Sequence, residues 1–370
     1  MKFEVVIIGG GIAGISTAYC LLEKGVNNLL IIDKMGIGMG STRWAAGIVS
    51  HLFTNKIEIE LVKRSIGIFK RIGLESNGIF SYNRIGMLSV GENSHEKRLK
   101  SSFDAMQASG VNGKLIDVKE INDSFQAIYP EGLDIGVHCP ESGYIDQRLF
   151  TQVTADILRA KGITILEFAQ VEDISMDGEM IEVWTTSGNI KSERVVIAGG
   201  VWSKMIAERI GFMLPLNIYK AQAMTLKTSE TLTVPVVYDL MSGIYARPDG
   251  QKTLVAGNGS KKFKGNIDSQ FHDAERSFRK RLPIELSKRL RNIGDTRISN
   301  AWSGLYASTR DGRPLMGESE DFKNLYYVGA FQGLGVMFAP GCAEILSDVI
   351  TRGRSDVDIA LFQAERFRRD

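Results

Sequence analysis

Met1-Lys2-Phe3-Glu4-Val5-Val6-Ile7-Ile8-Gly9-Gly10-Gly11-Ile12-Ala13-Gly14 opens the chain and decides how the rest is read. Phe3 to Ile8 is a mostly apolar, β-branched run, the texture of a strand buried on both faces of a parallel sheet. It leads directly into G-x-G-x-x-G. Gly9 permits the tight turn, Gly11 lets a pyrophosphate approach the backbone, and Gly14 lets a helix over about Ala13 to Lys24 pack on the strand. Ile12 and Ala13 lie at that helix N-terminus, which points at the phosphates. A second strand, Leu29 to Ile32, ends on Asp33, where a carboxylate would bond ribose hydroxyls and repel a 2′-phosphate; Lys34 follows beside it. The fingerprint therefore reads as a site for FAD or NAD and does not choose between them.

At 370 residues the chain is long for one core, so two domains are expected. An apolar fraction of 44% and a charged fraction of 24% are those of an ordinary globular protein, and a formal charge of +2 gives no reason to expect nucleic acid. The basic clusters Arg279-Lys280-Arg281 and Arg366 to Arg369 read as solvated surface. Cys20, Cys139 and Cys342 are far apart, with no metal-ligand spacing, so no metal site or disulfide framework is expected. No apolar run reaches about eighteen residues, and the N-terminus enters a strand rather than a signal peptide. A cytoplasmic protein without a membrane span is the expectation.

Small residues dominate Gly36 to Gly47, where Gly40, Ser41, Thr42, Ala45, Ala46 and Gly47 are placed against the cofactor. Apolar spacing predicts a helix over Ile57 to Ile72. From Ile79 the texture changes to short alternating runs around a polar helix near Ser94 to Ser109. Asp146 caps a helix to about Lys161, and a hairpin spans Gln170 to Thr185, with Val171 near the cofactor. Arg194 to Gly200 repeats the strand-then-glycine pattern, placing Ala198, Gly199 and Trp202. Strands are expected at Leu216 to Leu226, Val234 to Asp239, Gly243 to Arg247 and Thr253 to Ala256, then a charged helix around Asp273 to Leu290. A last strand ends at Gly329, and Gly333-Leu334-Gly335 opens a helix from about Val336 to Ile350. The fold class is α/β: a Rossmann-like domain from residues 1–78, 144–214 and 315–370, with an inserted α+β substrate domain from 79–143 and 215–314 carrying a mostly antiparallel sheet.

Seven stretches in collinear order resemble the D-amino-acid-oxidase-like FAD-dependent oxidoreductases. They are Gly9 to Gly14 with Asp33, Gly40 to Gly47, Gly143 to Asp146, Val195 to Ser203, Tyr245 to Pro248 followed by Leu254 to Gly257, Trp302 to Gly317, and Gly333 to Pro340. The nearest members are the sarcosine oxidase β subunit, dye-linked L-proline dehydrogenase and glycine oxidase. The resemblance implies FAD, with Gly304, Arg313, Gly329, Gln332, Gly333, Leu334, Gly335, Val336 and Met337 added to its site. There the last helix would stabilise negative charge on reduced flavin.

Departures from the family are informative. Members with a covalently attached flavin carry T-W-H-A-A-G, whereas Thr42-Arg43-Trp44-Ala45-Ala46-Gly47 has tryptophan in the histidine's place, and Gly304 stands at the cysteine of others. Noncovalent FAD is expected. The carboxylate-binding arginine of G-L-R-P is replaced in Gly304-Leu305-Tyr306-Ala307, and the family's oxygen-activating lysine is lost, its position falling near Val255. This favours a dehydrogenase over a fast oxidase.

The reaction implied is oxidation of the C–N bond of a small amine or amino acid by hydride transfer to flavin N5, giving an imine that hydrolyses. Arg247 is the first candidate for a substrate carboxylate and Lys220 the second, since a guanidinium grips a carboxylate through two bonds. Tyr245 and Tyr306 are candidate pocket walls or donors, and His51 could face the flavin. The partners expected are the substrate and an electron acceptor, whether oxygen, quinone or a partner subunit, in a homo- or hetero-oligomer. Two other readings stay open: a flavin-bearing subunit active only in a complex, and an NAD-dependent dehydrogenase.

Overall fold

The computed structural model describes residues 2–269, 272–293 and 296–368, so Met1 and Arg369 lie outside it. The opening strand, Lys2–Ile8, runs parallel to Leu29–Asp33 on one side and Gly188–Ile197 on the other. Val5, Val6 and Ile7 are fully buried because both sheet faces are covered. Outward from this centre the order is Leu315–Glu318, Leu325–Gly329, Gly188–Ile197, Lys2–Ile8, Leu29–Asp33 and Thr164–Glu167. The hairpin Val171–Asp177 with Met180–Thr185 pairs onto Gly188–Ile197 and completes an eight-stranded sheet.

One face is covered by the helices Ile12–Glu23, Lys56–Glu75, Gln147–Ala160 and Gly335–Arg352, which share a core built on Tyr19, Phe69, Phe80, Phe150 and Phe338. Local signals set their starts: Asn55 accepts from Ile57 N at 3.0 Å, and Asp146 accepts from Arg148 N and Leu149 N. The other face carries a second core around Phe212 and Tyr327.

Strands from 79–143 and 215–314 join a separate nine-stranded sheet, antiparallel except where Val236–Asp239 meets Met87–Gly91. Its core packs on the helix Arg276–Ser287 through Phe278, Leu282 and Leu286. Two strands differ from the sequence reading. Thr253–Lys262 runs beyond Ala256 as the partner of Asn217–Lys227, although its Gly257 to Lys262 end reads as a polar loop. Arg297–Ser308 is the longest strand, and its exposed polar start, Arg297 to Asn300, hid it from pattern reading.

Candidate active site

Ile8 pairs with Ile32 on one side and Ile197 on the other, so Gly9 emerges at the carboxyl edge where the sheet's connections diverge. That crevice is where open α/β sheets bind ligands. Gly9 has φ +119°, and a Cβ there would lie 2.3 Å from the Ala198 carbonyl oxygen. A Cβ on Gly14 would lie 1.8 Å from the Gly9 oxygen, so the helix can approach the strand only as glycine. Asp33 stiffens the adjoining turn: Oδ2 accepts from Gly10 N at 2.7 Å, and Oδ1 from Met35 N and Gly36 N at 2.8 and 2.9 Å.

The small-residue loop after Gly40 is held from several elements. Thr42 Oγ1 accepts from Ile12 N at 3.0 Å, Ser41 Oγ donates to Leu305 O at 2.6 Å, and Trp302 Nε1 donates to Trp44 O at 2.9 Å. Gln147 Nε2 donates to Ala45 O at 2.7 Å, and Arg247 Nε donates to Ala46 O. The loop is thereby fixed at once by the nine-stranded sheet, through Leu305, Trp302 and Arg247, and by two helices of the other layer, through Ile12 and Gln147. Opposite it, the turn before the last helix carries Ala330 and Gln332 at φ +59° and +54°. That helix has no side-chain cap and no acidic residue in its first turn, so its amides are open to an anion.

These pieces line one cavity of about 650 Å³. It runs from Lys34 and Val171, past the glycine turn and the Gly40 to Gly47 loop, to Gly329 through Met337 and the face of the nine-stranded sheet. Of the residues expected to hold the cofactor, Gly14 and Arg313 are not on its wall. Gly14 acts by close packing, and Arg313 uses its backbone to bond Asp311, Thr309 and Arg366. An elongated dinucleotide fits the donor set, with open helix N-termini at Gly11 and Leu334 and a carboxylate at Asp33.

Of the five residues expected at the substrate, the structure brings Tyr245 and Tyr306 to the cavity. Burial pushes the Tyr245 phenol up to about 12, so it stays protonated and can donate. Tyr306 also titrates high through burial, bonds Ser260 Oγ at 2.5 Å and stacks on Tyr219 at 5.7 Å. Arg247 does not line the cavity: its buried guanidinium bonds Ala46 O, Pro248 O and Asp249 and lies over the Tyr144 ring at 4.4 Å. Lys220 pairs with Glu275 at 3.1 Å, away from the wall. His51 is buried against Ser142 Oγ at 3.1 Å and Cys139 Sγ at 3.8 Å, and burial pushes it down to about 4, leaving it neutral.

Sequence reading missed much of the cavity wall. Met87 and Ser89 reach it from one face of a strand, Tyr238 and Leu240 from the next, and Glu58, Arg98, Leu99 and Ser102 from two helices. The alternation of Met87 and Ser89 is a usable signal; Glu58 and Arg98 look like ordinary wet-face charges. Among the described residues no cluster of His, Cys, Asp or Glu could hold a metal ion, and no helix is long and apolar enough to cross a membrane.

Comparison with known proteins bears on the dinucleotide. The chain is 26% identical over 383 residues to 4-methylaminobutanoate oxidase (formaldehyde-forming) of Paenarthrobacter nicotinovorans and 24% over 395 residues to mitochondrial dimethylglycine dehydrogenase of Rattus norvegicus. Those alignments cover 98% and 99% of this chain but 45% of each relative, so the chain spans about half the length of these curated relatives. The structure of L-proline dehydrogenase from P. horikoshii superposes with a TM-score of 0.92 at 26% identity, covering 100% of this chain and 98% of that one. A profile described as FAD dependent oxidoreductase, DAO, matches residues 4–349, which selects FAD over NAD. This chain belongs to the DAO family of FAD-dependent oxidoreductases.

Proposed function

We propose that the protein oxidises the C–N bond of a small amine or amino acid, giving an imine that water hydrolyses, with FAD held noncovalently. When bound, FAD supplies the hydride acceptor at N5. The observation that carries the reading is the continuity of the cavity: the glycine turn and the substrate-end side chains of the nine-stranded sheet are walls of the same space. The names of the similar proteins, oxidases and dehydrogenases of methylated amines and proline, agree with it.

The chain's own contribution is positioning. Met87, Leu240, Leu52 and Phe53 give the cavity wall apolar surface for the hydrocarbon part of an amine. Tyr245, neutral near pH 7, offers a donor. Trp44, in the histidine's place, offers no atom for a flavin bond, which supports noncovalent attachment. Val255, buried between Thr225 and Arg247 across neighbouring strands, stands where the resemblance would put the oxygen-activating lysine, and the missing positive charge favours an acceptor other than oxygen. The test is anaerobic mixing of the purified yellow protein with sarcosine, glycine, dimethylglycine, L-proline and 4-methylaminobutanoate. Bleaching of the visible flavin band by one of them is expected, and no bleaching by any would overturn the proposal.

A further inference from the structure

Arg247 and Lys220 are engaged elsewhere, so the charges that do face the cavity decide what ligand it takes. Among the described residues these are Asp33, Lys34, Glu58, Arg98, Arg209 and Asp268. Four belong to the dinucleotide end. Asp33 holds the glycine turn, Lys34 pairs with Asp268 at 2.7 Å, and Arg209 ends the short helix whose Ile206, like Val171, packs against the core around Phe212 and Tyr327. Glu58 and Arg98 remain, one anion and one cation.

Both stand in the first turns of neighbouring helices, Lys56–Glu75 and Glu96–Ala108. Lys63 Nζ on the first donates to Ser109 O just past the second, at 3.1 Å. Neither Glu58 nor Arg98 makes a hydrogen bond or ion pair to another described residue. Glu58 is half-buried and Arg98 exposed, and Phe53, Met87, Leu99 and Leu240 line the same cavity. Burial pushes the Glu58 carboxyl up, and Arg313 offsets part of that, so a cationic ligand group would relieve the remainder.

Resting on the amine-oxidation reading, we propose that Arg98 binds the carboxylate and Glu58 the ammonium of a zwitterionic amino-acid substrate. A planar guanidinium with no protein partner is suited to bidentate capture of a carboxylate, and one opposite charge on the adjoining helix orients the amine. Amines without a carboxylate then bind without the Arg98 contribution.

The experiment is anaerobic rapid mixing of the flavin-loaded protein with sarcosine, L-proline and 4-methylaminobutanoate, each as the free acid and as its methyl ester. Arg98→Gln is expected to raise half-saturation for the acids by about 10- to 100-fold, the scale of hydrogen bonds to a charged group, with the limiting bleaching rate and the esters unchanged. Arg98→Lys should recover part of the loss, and Glu58→Gln should weaken acids and esters alike. An Arg98→Gln effect that is absent, or equal for acid and ester, overturns the assignment of Arg98; unshifted values in Glu58→Gln overturn that of Glu58. Loss of flavin from both Arg98 variants marks a structural role and also overturns it. If nothing bleaches the wild type, the amine-oxidation reading itself falls.

Discussion

Arg247→Met separates two jobs an arginine at this place can do. In the wild type its Nη1 donates to Pro248 O at 2.8 Å and to Asp249 Oδ1 at 2.7 Å, its Nε bonds Ala46 O, and its side chain is 7% exposed. Methionine keeps an unbranched stem and removes every donor. The partly buried Ala46 carbonyl then loses its partner, at about 1–3 kcal/mol. Loss of the contact over Tyr144 adds about 0.5–1 kcal/mol. Asp249 is half exposed and rehydrates, so its pairing contributes little. Together these amount to about 1.5–4 kcal/mol, placed on the loop that carries Ala45, Ala46 and Gly47. FAD must reimpose that loop geometry on binding, so its dissociation constant should rise about 10- to 700-fold, at 1.4 kcal/mol per tenfold. The assay is fluorescence titration of apoprotein with FAD, followed by substrate half-saturation at saturating flavin. Unweakened FAD binding, with half-saturation raised for carboxylate-bearing substrates alone, would refute the clamp and return Arg247 to the substrate.

Gly14→Ala places a methyl group 1.8 Å from the Gly9 oxygen, so the first helix must move off the strand; the purified variant should lack flavin, and wild-type occupancy would contradict the packing argument. His51 has a folded pKa of about 4 against an unfolded value near 6.5, so the unfolded state binds its proton first. Its stability contribution is whole above pH 6.5 and is lost as pH falls toward 4, by about 2 kcal/mol at pH 5. Urea unfolding of wild type and His51→Asn at pH 7 and pH 5 checks this, the variant losing less on acidification. Acid precipitation should release the yellow colour into the supernatant, and colour retained on the pellet would rule out noncovalent FAD.

Much of the dinucleotide end was legible because its chemistry is local. Strand, glycine turn, helix and Asp33 fall within the first 33 residues, and each glycine answers a steric demand set by near neighbours. Asn55 and Asp146 likewise cap helices through bonds to residues two or three positions on. The strand Arg297–Ser308 was not legible. Its partner begins 80 residues earlier at Asn217, and only pairing across that gap makes a polar start extended.

The sequence by itself determined the parallel-sheet core and the dinucleotide turn, because those follow from side-chain period, glycine sterics and helix capping. Tertiary structure alone decided which charges face the cavity. Arg247 sits in a motif that suggests a substrate clamp, yet folding places the Ala46 carbonyl against it and uses its donors there. Glu58 and Arg98 look like ordinary wet-face charges in their helices, and only the fold shows that half-buried Glu58 and exposed Arg98 both border the cavity. A charged side chain's role depends on which partner reaches it first, and that is set by contacts between residues tens to hundreds of positions apart.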